Sequence, residues 1–272
     1  RGFVIDRQLT LMPLDNTSKI SNGFIHLVKG SDGSTVSGLT INNTKGALSI
    51  NGIYVGQLHG IWITKSNNNT IVNNTIRIAN AAGVYAMPMG WSSYNRIIGN
   101  DMSTYITCVM VMGQCHYNII SKNKLETLDY NDLIVSNLIY FNPFGHADYG
   151  GSPLCLGNVI SDNYLKAFCN GAMSIVLQLV YENHINTTIA NNTIIRGSYG
   201  ISLYSDNATV YNNTIIESSI SVSAMGKNIS VTYNNVTGTS QGNGILVNGE
   251  KGYSAIVAHN NVTFTDIYCA IG

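Results

Sequence analysis

Charge is scarce in this sequence. Only 10% of its 272 residues are Asp, Glu, Lys or Arg, and 14 cations balance 14 acids to leave no net charge. With no basic excess to neutralise a phosphate backbone or an anionic bilayer, nucleic acid is excluded as a partner on electrostatic grounds. Long apolar runs are missing as well, so no transmembrane segment is expected. Pro is rare, at 4 residues. The histidines, His26, His59, His116, His146, His184 and His259, are scattered and fall into no metal-ligand spacing, so neither a metal nor a cofactor is expected. The hydrophobic share of 44% excludes disorder.

What the chain has instead is Asn, 35 residues of it, beside 27 Gly and 16 Tyr. Ile, Val, Thr and Tyr favour strands, while Asn and Gly favour tight turns and left-handed backbone positions. A short template of an aliphatic residue, two variable positions, Asn, one variable position and an apolar residue recurs along the chain. Its Asn is Asn74, Asn100, Asn123, Asn163, Asn192, Asn213, Asn234 and Asn260, after a degenerate copy, Val36…Leu39…Ile41, with Leu in its place. Between copies lie alternating segments introduced by Gly or Ser, such as Gly60-Ile-Trp-Ile63 and Gly200-Ile-Ser-Leu203. A period of about 20 to 30 residues built from short β-branched segments is that of a β-solenoid rather than a helical repeat. Stacked coils would set each Asn about 4.8 Å from its copy, so the amides can bond one another in a buried ladder.

On these copies the sequence resembles the right-handed parallel β-helix of pectate-lyase-like proteins, in particular the CASH and NosD-like type shared by adhesin-like and surface-layer-associated proteins of methanogenic archaea. The resemblance implies an all-β fold, a right-handed parallel β-helix solenoid with three short strands per coil and an internal Asn ladder. Residues 1–34 would form an N-terminal lead-in and 35–272 the β-helix, with a long loop inserted at about 126–156. A copper-related role of the NosD kind has no support in the scattered histidines.

Aligning copies on the template Asn sets opposite charges side by side in neighbouring coils: Asp101 with Lys124, Lys122 with Asp162, Glu126 with Lys166 and Arg196 with Glu217. Two of these pairs require that the long interval from Asn123 to Asn163 hold one coil with an insertion rather than two short coils. Cys115 and Cys155, each three residues before the first Asn of the strings Asn118–Asn123 and Asn158–Asn163, favour the single coil and predict a disulfide between them. Cys108, Cys169 and Cys269 are left over; as buried thiols they are inert, and an odd count leaves a free thiol or an intermolecular bond.

Asn-X-Ser/Thr sequons at Asn16, Asn42, Asn68, Asn73, Asn186, Asn191, Asn207, Asn212, Asn228, Asn235 and Asn261 suit an exported glycoprotein, although the ladder itself writes Asn-Asn-Thr strings. An extracellular or cell-surface location is therefore expected. The sequence starts at Arg1 and stops in a strand segment at Gly272. Solenoid ends need capping, so the expected partners are further copies, end to end or laterally, or the remainder of a longer surface protein.

Enzymes of this fold need carboxylate pairs, Ca²⁺-binding acids or a basic residue in a groove. Asn-Thr-Asp, Asp-Asp and Arg-X-Lys are all missing, and Gly145-His146-Ala147 is a fragment. The remaining catalytic candidates are Asp129, Asp132, His146 and Asp148 in the aromatic-rich insertion 126–153. Trp62 and Tyr85, expected in one outward column, and the nearby Trp91 offer flat surfaces for glycans or a partner. The reading that follows is a non-enzymatic extracellular structural or adhesin-like β-helix, a surface-layer, sheath or filament subunit with glycan contact. The alternative is a polysaccharide lyase or glycoside hydrolase with its site in the insertion.

Overall fold

The computed structural model describes residues 2–15, 17–44, 48–50, 53–56, 59–79, 85–128, 137–142, 154–168, 173–177, 184–238, 243–249, 253–264 and 269–271. Among them there is no helix. Strands pair in parallel except in one antiparallel hairpin, Leu48–Ile50 with Ile53–Gly56. The chain winds as a right-handed parallel β-helix with three strands per coil, for instance Ile61–Thr64, Thr70–Val72 and Thr75–Ile78. Equivalent strands stack into three faces. The face of Thr70–Val72 is a 10-stranded sheet; the other two merge into one of 19 strands because Thr193–Tyr204 and Thr214–Gly226 run unbroken round the corner. Residues 2–21 already make a full coil: Gly2–Ile5, Thr10–Leu11 and Lys19–Ser21 pair with strands of the coil that follows.

The period-2 alternation buries one aliphatic residue per strand. Ile71, Ile97, Ile120, Ile160, Ile189 and Val210 form one fully buried column, and Ile76, Met102, Leu125, Leu165, Ile194 and Ile215 another. Each contributes about 1.5–3 kcal/mol by leaving water. Between these columns runs the Asn ladder, and it is saturated. From Asn74 through Asn234, each Asn sends its backbone N–H and Nδ2 to the Oδ1 of the Asn in the following coil at 2.9–3.1 Å, the last acceptor being Asn260. The second Nδ2 hydrogen goes to a backbone carbonyl of the preceding coil, as from Asn123 to Ile97 O at 2.9 Å. All amides therefore point the same way along the axis. Leu39 ends the series, its N–H donating to Asn74 Oδ1 at 3.0 Å.

A second, shorter ladder stands five residues earlier in each coil: Asn69 donates to Asn95, Asn95 to Asn118 and Asn118 to Asn158 at 3.0–3.3 Å. Each ladder residue follows a residue in the left-handed region. Before the second ladder these are Asn68, Tyr94, Tyr117, Gly157, Asn186, Asn207 and Asn228; before the first, Asn73, Gly99, Lys122, Asp162, Asn191, Asn212, Tyr233 and His259, all with φ between 51° and 66°. A left-handed Asn, any ladder residue and a Thr or Ser opening the strand spell a sequon. Seven of the sequons, from Asn68 to Asn228, arise at such turns. Gly60 and Gly200 start strands at a corner where a Cβ would lie 2.5 Å from Ile76 Cγ2 and 2.6 Å from Ser221 O respectively, which explains the Gly that introduces these segments.

The interval from Asn123 to Asn163 is one coil: Lys124, Leu125 and Glu126 pair with Tyr164, Leu165 and Lys166. Its extra length is not a single loop, however, because Asn137–Asn142 is a regular strand between Thr107–Met112 and Met173–Leu177. Charges follow the alignment in part. Arg196 and Glu217 form the expected pair, Nε to Oε2 at 2.9 Å. Asp101 sits beside Lys124 in register but is bound by Arg77. Lys124 turns to Glu126 on its own strand at 3.2 Å, and Lys166 lies over the Phe168 ring at 4.6 Å. Asp162 accepts from Asn191 Nδ2 at 3.2 Å rather than from Lys122. Longer side chains reach diagonal partners as readily as directly opposed ones.

Candidate functional site

Asp129, Asp132, His146 and Asp148 lie outside the described residues, as do Asn16 and Cys169, and the side chains of Tyr85 and Cys269. Every carboxylate that is described has a partner. Asp6 pairs with Arg7, Asp206 with Lys227, Asp101 with Arg77, Glu126 with Lys124 and Glu217 with Arg196. Asp32 and Asp162 accept from Asn67 N–H and Asn191. Asp15 accepts from Thr17 and Ser18, and these bonds hold its carboxyl below the usual range. No two of these acids converge on an opening, and among the described residues no three His, Cys, Asp or Glu form a ready-made metal sphere.

The aromatic groups lie on the face formed by Phe24–Leu27, Ile61–Thr64, Tyr85–Gly90, Thr107–Met112, Asn137–Asn142 and Met173–Leu177. Trp62 and Tyr85 do not share a column. Met89 pairs with Ile63, which puts Pro88 beside Trp62, and Tyr85 pairs with Thr107. Trp62 stacks instead on His26, with ring centroids 4.0 Å apart and planes 2° from parallel, while His59 meets it edge-on at 5.4 Å. His26 bonds Thr64 Oγ1 through Nε2 at 3.1 Å, and burial lowers its pKa. Trp91 lies across Gly113, whose added Cβ would come within 2.7 Å of the indole. Outward residues of this face are themselves buried: Met110 and Val176 are each 5% exposed. A second exposed aromatic pair, Tyr94 and Tyr117, stacks at 5.2 Å on the turn beside the ten-stranded face.

Cys115 and Cys155 are neighbours in adjacent coils but carry free thiols, as does Cys108; the expected disulfide is absent. Cys115 Sγ donates to Met112 O and Cys155 Sγ to Gly113 O, both at 3.3 Å. In-register parallel strands keep equivalent Cβ atoms at about the 4.8 Å coil spacing with parallel bond vectors, whereas a disulfide needs Cβ atoms near 3.8 Å that converge. Burial pushes the Cys108 and Cys115 thiols far up, and Cys155 to about 11. His184, paired in register with Cys155, is 2% exposed and burial lowers its pKa to about 4.

The described sequon residues Asn42, Asn68, Asn73, Asn186, Asn191, Asn207, Asn212, Asn228, Asn235 and Asn261 are all exposed, whereas the ladder residues from Asn74 to Asn234 are buried. Position within the turn alone separates the two sets.

A family described as protein of unknown function (DUF1565) matches residues 10–183, well over half of the chain. The chain belongs to this family. Its parallel β-helix is also similar to solved structures. The alginate lyase from Paenibacillus sp. str. FPU-7 is 12% identical with a TM-score of 0.55, the match covering 92% of each chain. DFA-IIIase from Arthrobacter chlorophenolicus A6 in complex with DFA-III is 12% identical with a TM-score of 0.56, over 99% of this chain and 63% of that one. ORF18 of Geobacillus virus E2 is 10% identical with a TM-score of 0.52, over 98% and 50%. This DUF1565 chain thus spans about half to two-thirds of the last two proteins, and at such identities the likeness is one of fold. No curated protein matches the sequence.

Proposed function

We propose that this DUF1565 protein is a non-enzymatic extracellular β-helix, a rigid structural or adhesin-like element of a cell surface that contacts glycans or further copies. The observation that carries this reading is that every described carboxylate is already bound by a structural partner, five of the eight by one on a separate coil. Resemblance to the CASH-type repeats of methanogen adhesin-like and surface-layer-associated proteins supports it. So does the first coil, which exposes Phe3, Met12 and the 97% exposed Leu14 beside an apolar cavity of about 190 Å³. That apolar surface would suit contact with a further copy. The exposed sequon residues are available to glycans.

A second reading, a polysaccharide lyase or glycoside hydrolase acting through Asp129, Asp132, His146 and Asp148, draws support from the similar fold of the alginate lyase and the DFA-IIIase. A screen of the full chain on acidic and neutral polysaccharides separates the two. No turnover is expected, with retention on one or more insoluble glycans. Turnover abolished by Asp132→Ala or Asp148→Ala would replace the structural reading with the enzymatic one.

A further inference from the structure

The ten-stranded face differs from its neighbours in what it shows to solvent. Its strands turn one aliphatic residue inward and those beside it outward, so two outward rows run along the axis at about the 4.8 Å coil spacing. One row carries Thr35, Thr70, Thr188 and Thr209, with Ile119 and Val159 between them. The other mixes Ser121 and Ser161 with Val72 and Ile98. Among the described residues Arg96 is the one charge in either row. The adjoining face is built otherwise, for Arg77, Asp101, Lys124, Glu126 and Lys166 project from its strands. Exposed tyrosines frame the uncharged rows: Tyr211 projects from the face, Tyr94 and Tyr117 stand on the turn before its strands, and Tyr233 on the turn after. From the left-handed residue before a strand to the one after it, as from Asn68 to Asn73, the face is about 16 Å wide, and its 10 strands make it about 43 Å long.

We propose that this face binds a single extended chain of an uncharged polysaccharide, lying along the rows. The proposal rests on the glycan-contacting reading above and gives that contact a place on the ten-stranded face rather than beside Trp62 and Trp91. Hydroxyls set among aliphatic methyls match the two sides of a sugar chain, whose hydroxyls exchange hydrogen bonds while its C–H faces lie on apolar ground and tyrosine rings. A chain charged at every sugar would find Arg96 alone to answer it, and its remaining charges would lose water without gaining a partner. A second copy fits this face less well. Its area of about 700 Å² is below the roughly 800 Å² per partner of a stable interface, and homodimer interfaces are more apolar than rows so rich in hydroxyls. Sequon residues Asn186, Asn191, Asn207 and Asn212 also stand on the two margins, and any glycan they carry would hold a facing copy off while leaving a trough for one thin chain.

The test measures depletion of the full chain from solution by insoluble glycans, with microcrystalline cellulose, chitin and a β-1,3-glucan as uncharged probes and calcium pectate gel as the acidic one. At least one uncharged glycan is expected to retain the protein, and the pectate gel to retain less of it. Val159→Lys sets a charge in the middle of the Thr row and should weaken retention at least about tenfold. Tyr211→Ala should weaken it as well, while Lys166→Ala on the adjoining face keeps the wild-type isotherm. Because Tyr211→Ala trims only an exposed ring, it decides the matter should Val159→Lys fail to fold. Retention that survives both substitutions, or that is lost with Trp62→Ala, moves the contact off this face and overturns the assignment while the glycan reading stands. Stronger retention on pectate overturns the uncharged class. A dimer in light scattering that Val159→Lys dissociates gives the face to a second copy and overturns the proposal, and a wild-type chain that no glycan retains overturns both the proposal and the reading beneath it.

Discussion

His26 and Trp62 show how one register pair sets the behaviour of a surface. Their parallel stack partly removes the imidazole from water and lowers its pKa below 6.5. The folded state thus binds its proton less readily than the unfolded chain. Its contribution to stability is complete above about pH 6.5 and is lost as pH falls through the folded value. Indole fluorescence should fall along the same titration, with a midpoint below 6.5, and His26→Leu should abolish that transition. A midpoint at or above 6.5 would contradict the burial argument. The sequence identified Trp62 as outward but paired it with the wrong neighbour. Register on this face is counted from the following Asn, and Trp62 and Pro88 both stand twelve residues before theirs. Alternation within each segment says which residues face out but not which of them meet.

Ladders tie one strand to the next, and their energetics belong to the element. Replacing Asn163 by Leu would orphan the backbone N–H and Nδ2 of Asn123 and release Ile120 O. With each buried orphan worth about 1–3 kcal/mol, the loss should be roughly 3–6 kcal/mol in urea denaturation. A change below about 1 kcal/mol would show that the amides do not hold the coils. Leu39 tolerates the same side chain because it needs only to present its N–H to Asn74. The main ladder was legible because its Asn recurs in every copy. The second was not, since Thr187, Ala208 and Ile229 replace Asn in later coils. The cysteines were correctly placed in adjacent coils, but the missing disulfide depends on Cβ direction, which offsets in a sequence do not carry.

For the whole molecule, periodicity gave the β-solenoid, the family resemblance implied its right-handed three-strand coil, and the cysteine offsets favoured the single coil from Asn123 to Asn163. The strand Asn137–Asn142 inside the expected insertion could not be read in this way, because it carries no template Asn and its flanks vary in length. Extra residues are confined to the corners beside one face, while the turn before each ladder Asn keeps a fixed length. Four Gly/Ser residues added after Leu128 should therefore cost under about 1 kcal/mol, as loop closure predicts. The same four placed between Lys122 and Asn123 should cost several times more; equal losses would refute this division of labour. The common orientation of the ladder amides carries a last consequence. A finished coil holds out N–H groups on its C-terminal side and waits for an oxygen from the residue that comes next in synthesis. A slip of one position takes the inward-facing amide away from that donor, and a slip of two meets it with an apolar side chain such as Leu125 or Leu165. The ladder is thus a one-way ratchet, checking each coil's register in the order in which the ribosome delivers it.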